Sequence, residues 1–373
     1  MNINQWGRSV YLGMMLLFLF GCATTQEEPE LSTGEMYWPK PPEMPRYTWE
    51  SVIHTAKDVE RKNKEDLDAF NVIASVDDKQ VFVKPVRIAA QGGRIFVTDT
   101  MARRIHVFDA VRRRFYQMGF RREGVVDKPL GIALDKKGMV YVADSKRKTV
   151  IVYDQLGMFI KWIGDDKILN NPVAVSVSAD GSRIYVIDNG AAASSKHQML
   201  IFNSDGQLVG SPIGQRGNED GAFNFPTDIC VGPDGRVYVL DAGNFRVQVF
   251  DRDGQFLYKW GRVGHGLGQL ARPRAIAVDK DNLVYVLDGS FANLQIFDDK
   301  GQLLLPIGER SLKDGPGIFS SPSGVATDDT GRVYIVDQWL KKVEILRKLS
   351  PEEGKNILDG KKIPASPVNK KKE

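Results

Sequence analysis

The sequence predicts an all-β protein, a six-bladed β-propeller. A single phrase recurs six times: a proline, an apolar strand, a turn containing Gly or Asp, and a strand that ends in an aromatic residue, Val or Ile, any residue and Asp. The prolines are Pro85, Pro129, Pro172, Pro226, Pro273 and Pro322, and the aspartates are Asp99, Asp144, Asp188, Asp241, Asp288 and Asp337. The aspartates are 44 to 53 residues apart. A period of this length with several short strands per unit is typical of propellers, one blade per repeat.

Each unit contains four short strands, as the fifth unit shows. Its strands are predicted at Ala275–Val278, Leu283–Leu287, Leu294–Phe297 and Leu303–Ile307. These runs are rich in Val, Ile, Tyr and Phe, and turns with Asp or Gly separate them. Because one four-stranded sheet cannot bury both of its faces, the units must stack around an axis.

The fourth unit carries a resemblance to a known family. It begins Phe225-Pro226-Thr227-Asp228-Ile229, continues through Pro233–Asp241 and Asn244–Asp251, and is similar to an NHL repeat. The likeness covers about Lys84–Arg347, and the largest departure is the insertion of Asn189–Gln198 in the third unit. The resemblance implies a six-bladed NHL propeller. It implies no single activity, because this fold hosts binding modules and enzymes alike.

Closure of the ring needs a strand from outside the repeats. Units one to five each end in a predicted fourth strand, at Phe115–Met118, Phe159–Ile163, Leu208–Ile213, Phe256–Trp260 and Leu303–Ile307. The sixth unit stops after Val343–Leu346, and Ser350–Glu353 indicates the start of a short helix. Since an unpaired edge would remain, Arg46–Ile53 is predicted to close the ring, with Gln80–Val83 as the alternative. Ala56–Phe70 then connects to the first blade as a helix or a loop.

The N-terminus predicts export. Arg8 precedes an apolar run, Val10–Phe20, that is too short to span a bilayer and ends at Gly21-Cys22. Residues 1–21 resemble a bacterial lipoprotein signal peptide, which implies lipidation of Cys22; an ordinary signal peptide or an uncleaved anchor is the alternative. Residues 22–45 are rich in proline and predict a tether. No Asp follows Cys22, so by analogy with enterobacterial sorting the expected location is the cell envelope, with the outer membrane favoured.

Composition agrees with one exported domain. The chain has 373 residues with 42% hydrophobic content, enough for one large core. We therefore expect a monomeric propeller over residues 46–349, followed by a short helix and a disordered basic tail over residues 350–373. Cys230 is the only cysteine besides Cys22, so no disulfide framework is possible, and it is expected to be a buried small group.

The sequence offers little catalytic chemistry. His54, His106, His197 and His265 are the only histidines, and no His-x-x-His or Cys-x-x-Cys spacing occurs. We therefore predict no catalytic residue, metal or cofactor; a pair of His197 and His265 is a minor alternative, and His106 is expected in the core. The six repeated aspartates are predicted to cap the following turns, rather than to bind calcium as in lactonase-type propellers.

The loops between second and third strands are basic. Apart from the motif aspartates they contain no acidic residue and nine basic ones, Arg103, Arg104, Lys146, Arg147, Lys148, Lys196, Arg246, Lys341 and Lys342. The NHL resemblance implies that Arg104, Lys148, Arg246 and Lys342 face the motif Asp. The remaining Arg103, Lys146, Arg147, Lys196 and Lys341, together with Phe245, Phe291 and Trp339, are therefore predicted to form a binding surface.

Two functions of different class follow from these observations. The first is a lipid-anchored binding scaffold that presents a basic face to an envelope protein or an anionic polymer. The second is a hydrolase or lyase with a site at the channel mouth, near Arg87, Asp228, Arg274 and His265. The scaffold is favoured because an enzyme needs convergent polar groups. Some NHL propellers bind RNA through this face, but export argues against a nucleic-acid partner.

Lipidation can be tested at its attachment site. Cys22→Ser is expected to abolish acylation, because the thiol of Cys22 is the acceptor. Metabolic labelling of cells with a clickable fatty acid measures it, and Cys230→Ser, at the other cysteine, is the matched control and should stay labelled. Label that survives Cys22→Ser contradicts the prediction.

Overall fold

A computed structural model describes residues 36–60, 80–191, 194–361 and 363. Two strands precede the repeats, β1 (Tyr37–Trp38) and β2 (Tyr47–Ile53), followed by a 3-10 turn at Ala56–Asp58. The first three blades contain β3 (Pro85–Gln91), β4 (Arg94–Asp99), β5 (Arg104–Asp109), β6 (Arg114–Met118), β7 (Pro129–Leu134), β8 (Val140–Asp144), β9 (Thr149–Tyr153), β10 (Phe159–Ile163), β11 (Pro172–Val177), β12 (Arg183–Asp188) and β13 (Gln198–Asn203). A 3-10 turn, Arg122–Gly124, lies between the first two blades.

The other three blades follow the same pattern. They contain β14 (Pro226–Val231), β15 (Val237–Asp241), β16 (Arg246–Phe250), β17 (Phe256–Trp260), β18 (Pro273–Val278), β19 (Val284–Asp288), β20 (Asn293–Phe297), β21 (Leu303–Ile307), β22 (Glu309–Arg310), β23 (Ile318–Phe319), β24 (Pro322–Thr327), β25 (Arg332–Asp337) and β26 (Lys342–Lys348). A 3-10 turn at Ala242–Asn244 and the helix α1 (Pro351–Leu358) complete the described elements. The predicted all-β, six-bladed propeller is confirmed.

Each blade is an antiparallel meander whose first strand lies at the centre. The first strands contact one another in sequence around the ring, and β24 of the sixth blade contacts β3 of the first. Six apolar clusters fill the spaces between neighbouring blades, one per interface. Burial of these facing sheet surfaces supplies the main stabilisation of the ring.

Every first strand begins with a β-bulge at its proline. The pairing register shifts between the proline and the residue two positions later in all six blades. Proline cannot donate to the ladder, so the bulge lets the strand start without a lost inter-strand bond. The residues just after the bulges are Arg87, Gly131, Ala174, Asp228, Ala275 and Gly324.

The N-terminal segment completes the sixth blade. β2 pairs antiparallel with β26, and β1 adds outside it. Glu50 of β2 accepts two hydrogen bonds from Arg332 of β25, at 2.7 and 2.9 Å, and both side chains are about nine-tenths buried. The Tyr47 hydroxyl meets that of Tyr285 in the fifth blade at 2.8 Å.

Helix α1 follows the last strand, where the sequence predicts a helix start. Ser350 Oγ accepts the Glu353 N–H at 3.2 Å, and the Glu353 carboxylate accepts the Ser350 N–H at 2.8 Å. This reciprocal pairing is a capping box.

Two predicted segments differ from the structure. Leu208–Ile213 is not a strand: it bonds to β13 only where Phe202 faces Leu208 and Met199 faces Ile213, so the third blade has three strands. Pro212 has no N–H to donate, and Gly210 adopts φ +69°, which turns the chain between these bridges. Residues 36–45, predicted as the end of the tether, instead include β1, in which Tyr37 is buried. Residues 61–70 of the predicted connection lie outside the described residues.

Removal of β1 and β2 tests closure of the ring. A chain beginning at Ala56 exposes the edge of β26 and removes the Glu50 carboxylate to which Arg332 donates two hydrogen bonds. It should aggregate or melt more than about 10 °C below a chain beginning at Ala23. Thermal melting followed by circular dichroism checks this, and equal melting temperatures would mean that another segment closes the ring.

Candidate functional site

The six motif aspartates are fully buried, at 0% exposure. In the first blade, Asp99 accepts the N–H groups of Met101 and Ala102 in the following loop at 3.1 and 2.8 Å. It also accepts those of Val83 and Lys84, in the segment that enters the first strand, at 2.7 and 3.0 Å. One carboxylate therefore fastens the loop to the incoming segment, whereas the sequence predicted only the turn cap.

The same fastening recurs in the other blades with different side chains around it. Asp288 accepts four backbone N–H groups, from Ala271, Arg272, Ser290 and Phe291. Asp144, Asp188 and Asp337 likewise bind the link before them and the loop after them. Buried charge is tolerated when it is hydrogen-bonded in this way.

Burial raises the pKa of these carboxyl groups, and the hydrogen bonds that they accept lower it. For Asp99, burial favours the neutral form, but hydrogen bonds from His106 and from backbone N–H groups hold its pKa below the ordinary value. For Asp241, burial prevails over the bonds from Asn224, Asn244 and Arg246, and its pKa is raised. The motif carboxylates are thus tied into the scaffold rather than directed at a ligand.

The fastened loops and links lie at one end of every blade. We call this the link face: the loops 100–103, 145–148, 189–191, 194–197, 242–245, 289–292 and 338–341 with the links 119–128, 164–171, 214–225, 261–272 and 308–321. It includes all of the predicted binding residues. The turns between first and second strands and between third and fourth strands form the opposite end.

Three predicted basic residues gather around one acid. Arg103, Lys146 and Arg147 lie 3.5, 3.4 and 4.0 Å from the Asp127 carboxylate. The side chains of Arg103 and Lys146 remain about 60% exposed. One carboxylate cannot neutralise three cations, so this part of the link face, between the first two blades, keeps excess positive charge.

The other predicted binding residues differ in exposure. Lys196 is exposed, Lys341 is half-buried, and Trp339 is 64% exposed. Phe245 and Phe291 are half-buried, and Phe245 packs against the apolar cluster between the fourth and fifth blades. Phe245 therefore contributes to packing as well as to the face.

The NHL resemblance implies a basic residue that faces each motif aspartate, and only Arg246 of the four implied residues forms that ion pair. Arg246 pairs with Asp241 at 2.8 Å, but Lys342 pairs with Glu344 and Asp314 at 2.6 and 2.9 Å. Arg104 is opposite Asp99 but donates to Gln117.

In the second blade the residue opposite Asp144 is Thr149, so the position implied for Lys148 is wrong. Lys148 adopts φ +56° at the last position of its loop. Arg103, Phe245, Ala292 and Lys341 adopt the same left-handed conformation at the equivalent position.

The link face also exposes apolar side chains that the sequence analysis missed. They are Met101 (66%), Phe120 (41%), Ile168 (36%), Phe225 (46%), Val263 (63%), Leu267 (66%) and Leu312 (72%). Each lies in a loop or link, where period-two patterning carries no information about burial. A face that combines cations with exposed apolar groups is typical of interaction surfaces.

At the channel, Arg87 and Asp228 meet across the axis. They occupy the equivalent position in the first and fourth blades, and Arg87 Nε lies 3.5 Å from Asp228 Oδ2. The Arg87 guanidinium also donates to the carbonyls of Ser323, Thr227 and Arg274 at 2.6, 2.8 and 2.9 Å. Burial raises the pKa of Asp228, which also accepts the Ile276 N–H.

Of the four residues predicted near the channel mouth, Arg87 and Asp228 line one cavity, whereas Arg274 and His265 are not among its lining residues. This cavity, of about 190 Å³, is also lined by Cys230, and His265 is exposed in a link. Cys230 is half-buried in the wall of this cavity and not fully buried as predicted, and desolvation together with the Asp228 charge raises the pKa of its thiol well above the ordinary value. His197 is buried at 1% exposure and its Nδ1 accepts the Phe225 N–H, whereas His265 is exposed, so the two histidines differ in environment.

His106 is buried in the core, between the Phe82 and Phe115 rings. Within the described residues, no group of three or more His, Cys, Asp or Glu side chains is placed to hold a metal ion. In that same part of the chain, no helix has the length and apolar content to cross a membrane. Cys22 lies outside it.

Comparison with known proteins finds the NHL repeat family at residues 223–250. The chain is 29% identical over 150 residues to Protein brain tumor of Drosophila melanogaster, covering 38% of the chain and 13% of that protein. It is 34% identical over 92 residues to human NHL repeat-containing protein 3, covering 24% of the chain and 25% of that protein. The matches thus span a quarter or less of these relatives.

Among solved structures, a gluconolactonase from Xanthomonas campestris is similar at a TM-score of 0.53 and 19% identity. The alignment covers 72% of this chain and 87% of that one. At this identity the likeness concerns the fold alone.

Substitution of one motif aspartate measures its contribution to stability. Asp288→Asn replaces two acceptor oxygens by one and turns an amide toward buried N–H donors, so the free energy of unfolding should fall by about 2–4 kcal/mol. Asp298→Asn, in a half-buried turn of the same blade, should cost less than about 1 kcal/mol. Chemical denaturation measures both, and equal losses would contradict the fastening role.

Proposed function

The chain is an NHL-repeat β-propeller, and we propose that it is a binding scaffold whose link face receives an anionic partner, an envelope protein or polymer. The cluster of Arg103, Lys146 and Arg147 around the single Asp127 carries this proposal. Exposed Trp339 and Met101 supply apolar contact area on the same face.

The basic loops support the choice of face, because the opposite turns carry charge of both signs. Asp253, Asp298-Asp299 and Asp328-Asp329 lie at that end together with Arg112, Arg113, Lys136 and Lys300. A surface with charge of one sign attracts partners of the other sign and accelerates their association, most strongly at low salt. The partner therefore approaches the link face rather than the opposite end.

The proposal includes attachment to a membrane. A lipid on Cys22 would hold the propeller in the bacterial cell envelope, at the outer membrane, while residues 22–35 serve as the tether. The support is the Gly21-Cys22 motif after the apolar run. Tethering raises the local concentration of the link face for partners in the same envelope.

A hydrolase or lyase remains the second candidate, and it depends on the Arg87–Asp228 pair in the channel. The scaffold is preferred because the Arg87 donors bind three backbone carbonyls and Asp228 binds two backbone N–H groups. These bonds join the first blade to blades four, five and six across the axis, so both groups already serve the fold.

The basic cluster can be tested by removing its charge. Arg103→Asn and Lys341→Asn suit positive φ, because Asn tolerates the left-handed region, and Lys146→Ser and Arg147→Ser complete a quadruple variant. Partner capture from an envelope extract should fall at least about tenfold at low salt, since electrostatic attraction is lost. The melting temperature should stay within about 3 °C of wild type.

A charge-matched control lies at the opposite end. Arg112, Arg113, Lys136 and Lys300 are exposed there, and their replacement by Ser or Asn should leave capture unchanged. Identical recovery by the wild type and the link-face variant, or recovery that rises with salt, would show that the basic cluster does not bind the partner.

A further inference from the structure

The Phe225 N–H does not make a hydrogen bond that the equivalent N–H makes in each of the other five blades. Phe225 precedes the recurring proline of the fourth blade, and at the equivalent position Lys84, Lys128, Asn171, Arg272 and Ser321 each donate their N–H to the motif aspartate. Phe225 adopts φ +47°, a left-handed conformation that is strained for an aromatic residue. Its N–H instead donates to Nδ1 of His197 at 3.1 Å.

The acceptor comes from the inserted segment of the third blade. His197 is 1% exposed, and its ring lies 4.5 Å from that of Phe225. A second bond, from the Arg216 N–H to the Ser195 carbonyl at 2.8 Å, clamps the same segment to the link that ends at Phe225. The insertion therefore holds the strained residue in place.

Asp241 is satisfied without the Phe225 N–H. It accepts the Asn224 N–H, and the side chains of Asn244, Arg246 and Gln248 donate to its second oxygen at 2.8, 2.8 and 3.2 Å. The strain at Phe225 is thus not a failure of the motif. The hydrogen bond to His197 and the bond between Arg216 and Ser195 hold Phe225 in its strained conformation. Residues held in such conformations cluster at functional sites.

The result of this arrangement is an aromatic ring presented on the link face. Phe225 is 46% exposed, and the Arg216 guanidinium lies 5.2 Å from the centre of its ring. Arg216 is itself exposed and has no ion pair among the described residues. A rigid ring beside a free guanidinium offers apolar contact and bidentate recognition of a carboxylate at one point.

We infer that Phe225 and Arg216 form a docking subsite for an acidic segment of a partner protein, in which a carboxylate binds Arg216 and an apolar side chain packs on Phe225. This inference rests on the proposed function, since it places a subsite on the same link face. Glu219 and Asp220 stand exposed on the same link. They disfavour an extended polyanion such as RNA or an anionic bilayer, but leave room for one discrete carboxylate.

His197 is the positioning residue of this subsite. When Nδ1 carries a proton it cannot accept the Phe225 N–H, so acidification should release the ring. Burial lowers the pKa of His197 below its ordinary 6.5; the Arg216 charge lowers it further, while a hydrogen bond to the Phe223 backbone and the Asp241 charge oppose the shift. Docking is therefore complete above about pH 6.5 and is lost as the pH falls through the lowered pKa.

The test uses the purified full-length chain in detergent and a displayed library of random peptides. Selected peptides should combine Asp or Glu with Leu, Phe or Trp, and should bind at least about tenfold more weakly to Phe225→Gly by fluorescence anisotropy. Glycine adopts φ +47° without strain, so this variant should fold at least as well as wild type. Leu257→Ala is the matched control, because Leu257 is also 46% exposed, on the outer strand of the same blade.

Two further variants separate the roles. Arg216→Ser should remove the preference for acidic residues, whereas Lys300→Ser at the opposite end should not. His197→Asn should flatten the pH dependence of peptide binding, since its amide oxygen accepts the N–H without titrating in this range.

Basic or neutral peptides, or acidic peptides that bind Phe225→Gly normally, would overturn the inference. So would binding of RNA or of phosphatidylglycerol vesicles that depends on Phe225, since either assigns the site to another partner. If the quadruple link-face variant loses its partner while Phe225→Gly keeps it, the docking inference fails and the proposed function stands. If the quadruple variant keeps its partner but the selected peptides require Phe225, the proposed function of the basic cluster fails and the subsite stands.

Discussion

The buried aspartate at the end of each second strand is the interaction on which the rest of this structure depends. A carboxylate removed from water is costly unless its lone pairs are filled, and here backbone N–H groups fill them. Asp99 binds both Met101 in the loop and Val83 in the incoming segment. The same charge therefore sets where a blade begins and how its loop leaves the second strand.

Because the motif aspartates bind mostly backbone N–H groups, the path of the loops on the link face does not depend on their side chains. Where backbone N–H groups do the binding, as at Asp288, the side chains of the same loops are free to vary without disturbing the fold. The cluster of Arg103, Lys146 and Arg147 uses that freedom. The fourth blade differs, because side chains such as Arg246 supply hydrogen bonds to Asp241. The Phe225 N–H donates to His197 instead of to the motif aspartate.

At the centre of the ring, the close approach of neighbouring first strands limits the size of the residue after each bulge. The residue after each bulge faces its neighbours closely: a Cβ added to Gly131 would lie 2.7 Å from Ala174 Cα, and one added to Gly324 would lie 2.8 Å from the Val86 carbonyl oxygen. Small residues at four of the six positions leave space for Arg87 and Asp228 to meet. The channel is therefore crossed by hydrogen bonds and an ion pair that join the first blade to the fourth, fifth and sixth.

The sequence by itself determined the six blades, the aspartate positions and the need for a closing strand, because these follow from patterns repeated within one unit of chain. It failed at Leu208–Ile213, where Pro212 and Gly210 override strand composition, and the NHL resemblance placed Lys148 opposite Asp144, a position that Thr149 occupies. Only the tertiary structure decided that Arg87 meets Asp228 and that His197 holds Phe225. Those contacts join different blades, and their distances depend on how the blades close around the axis, which no local periodicity encodes.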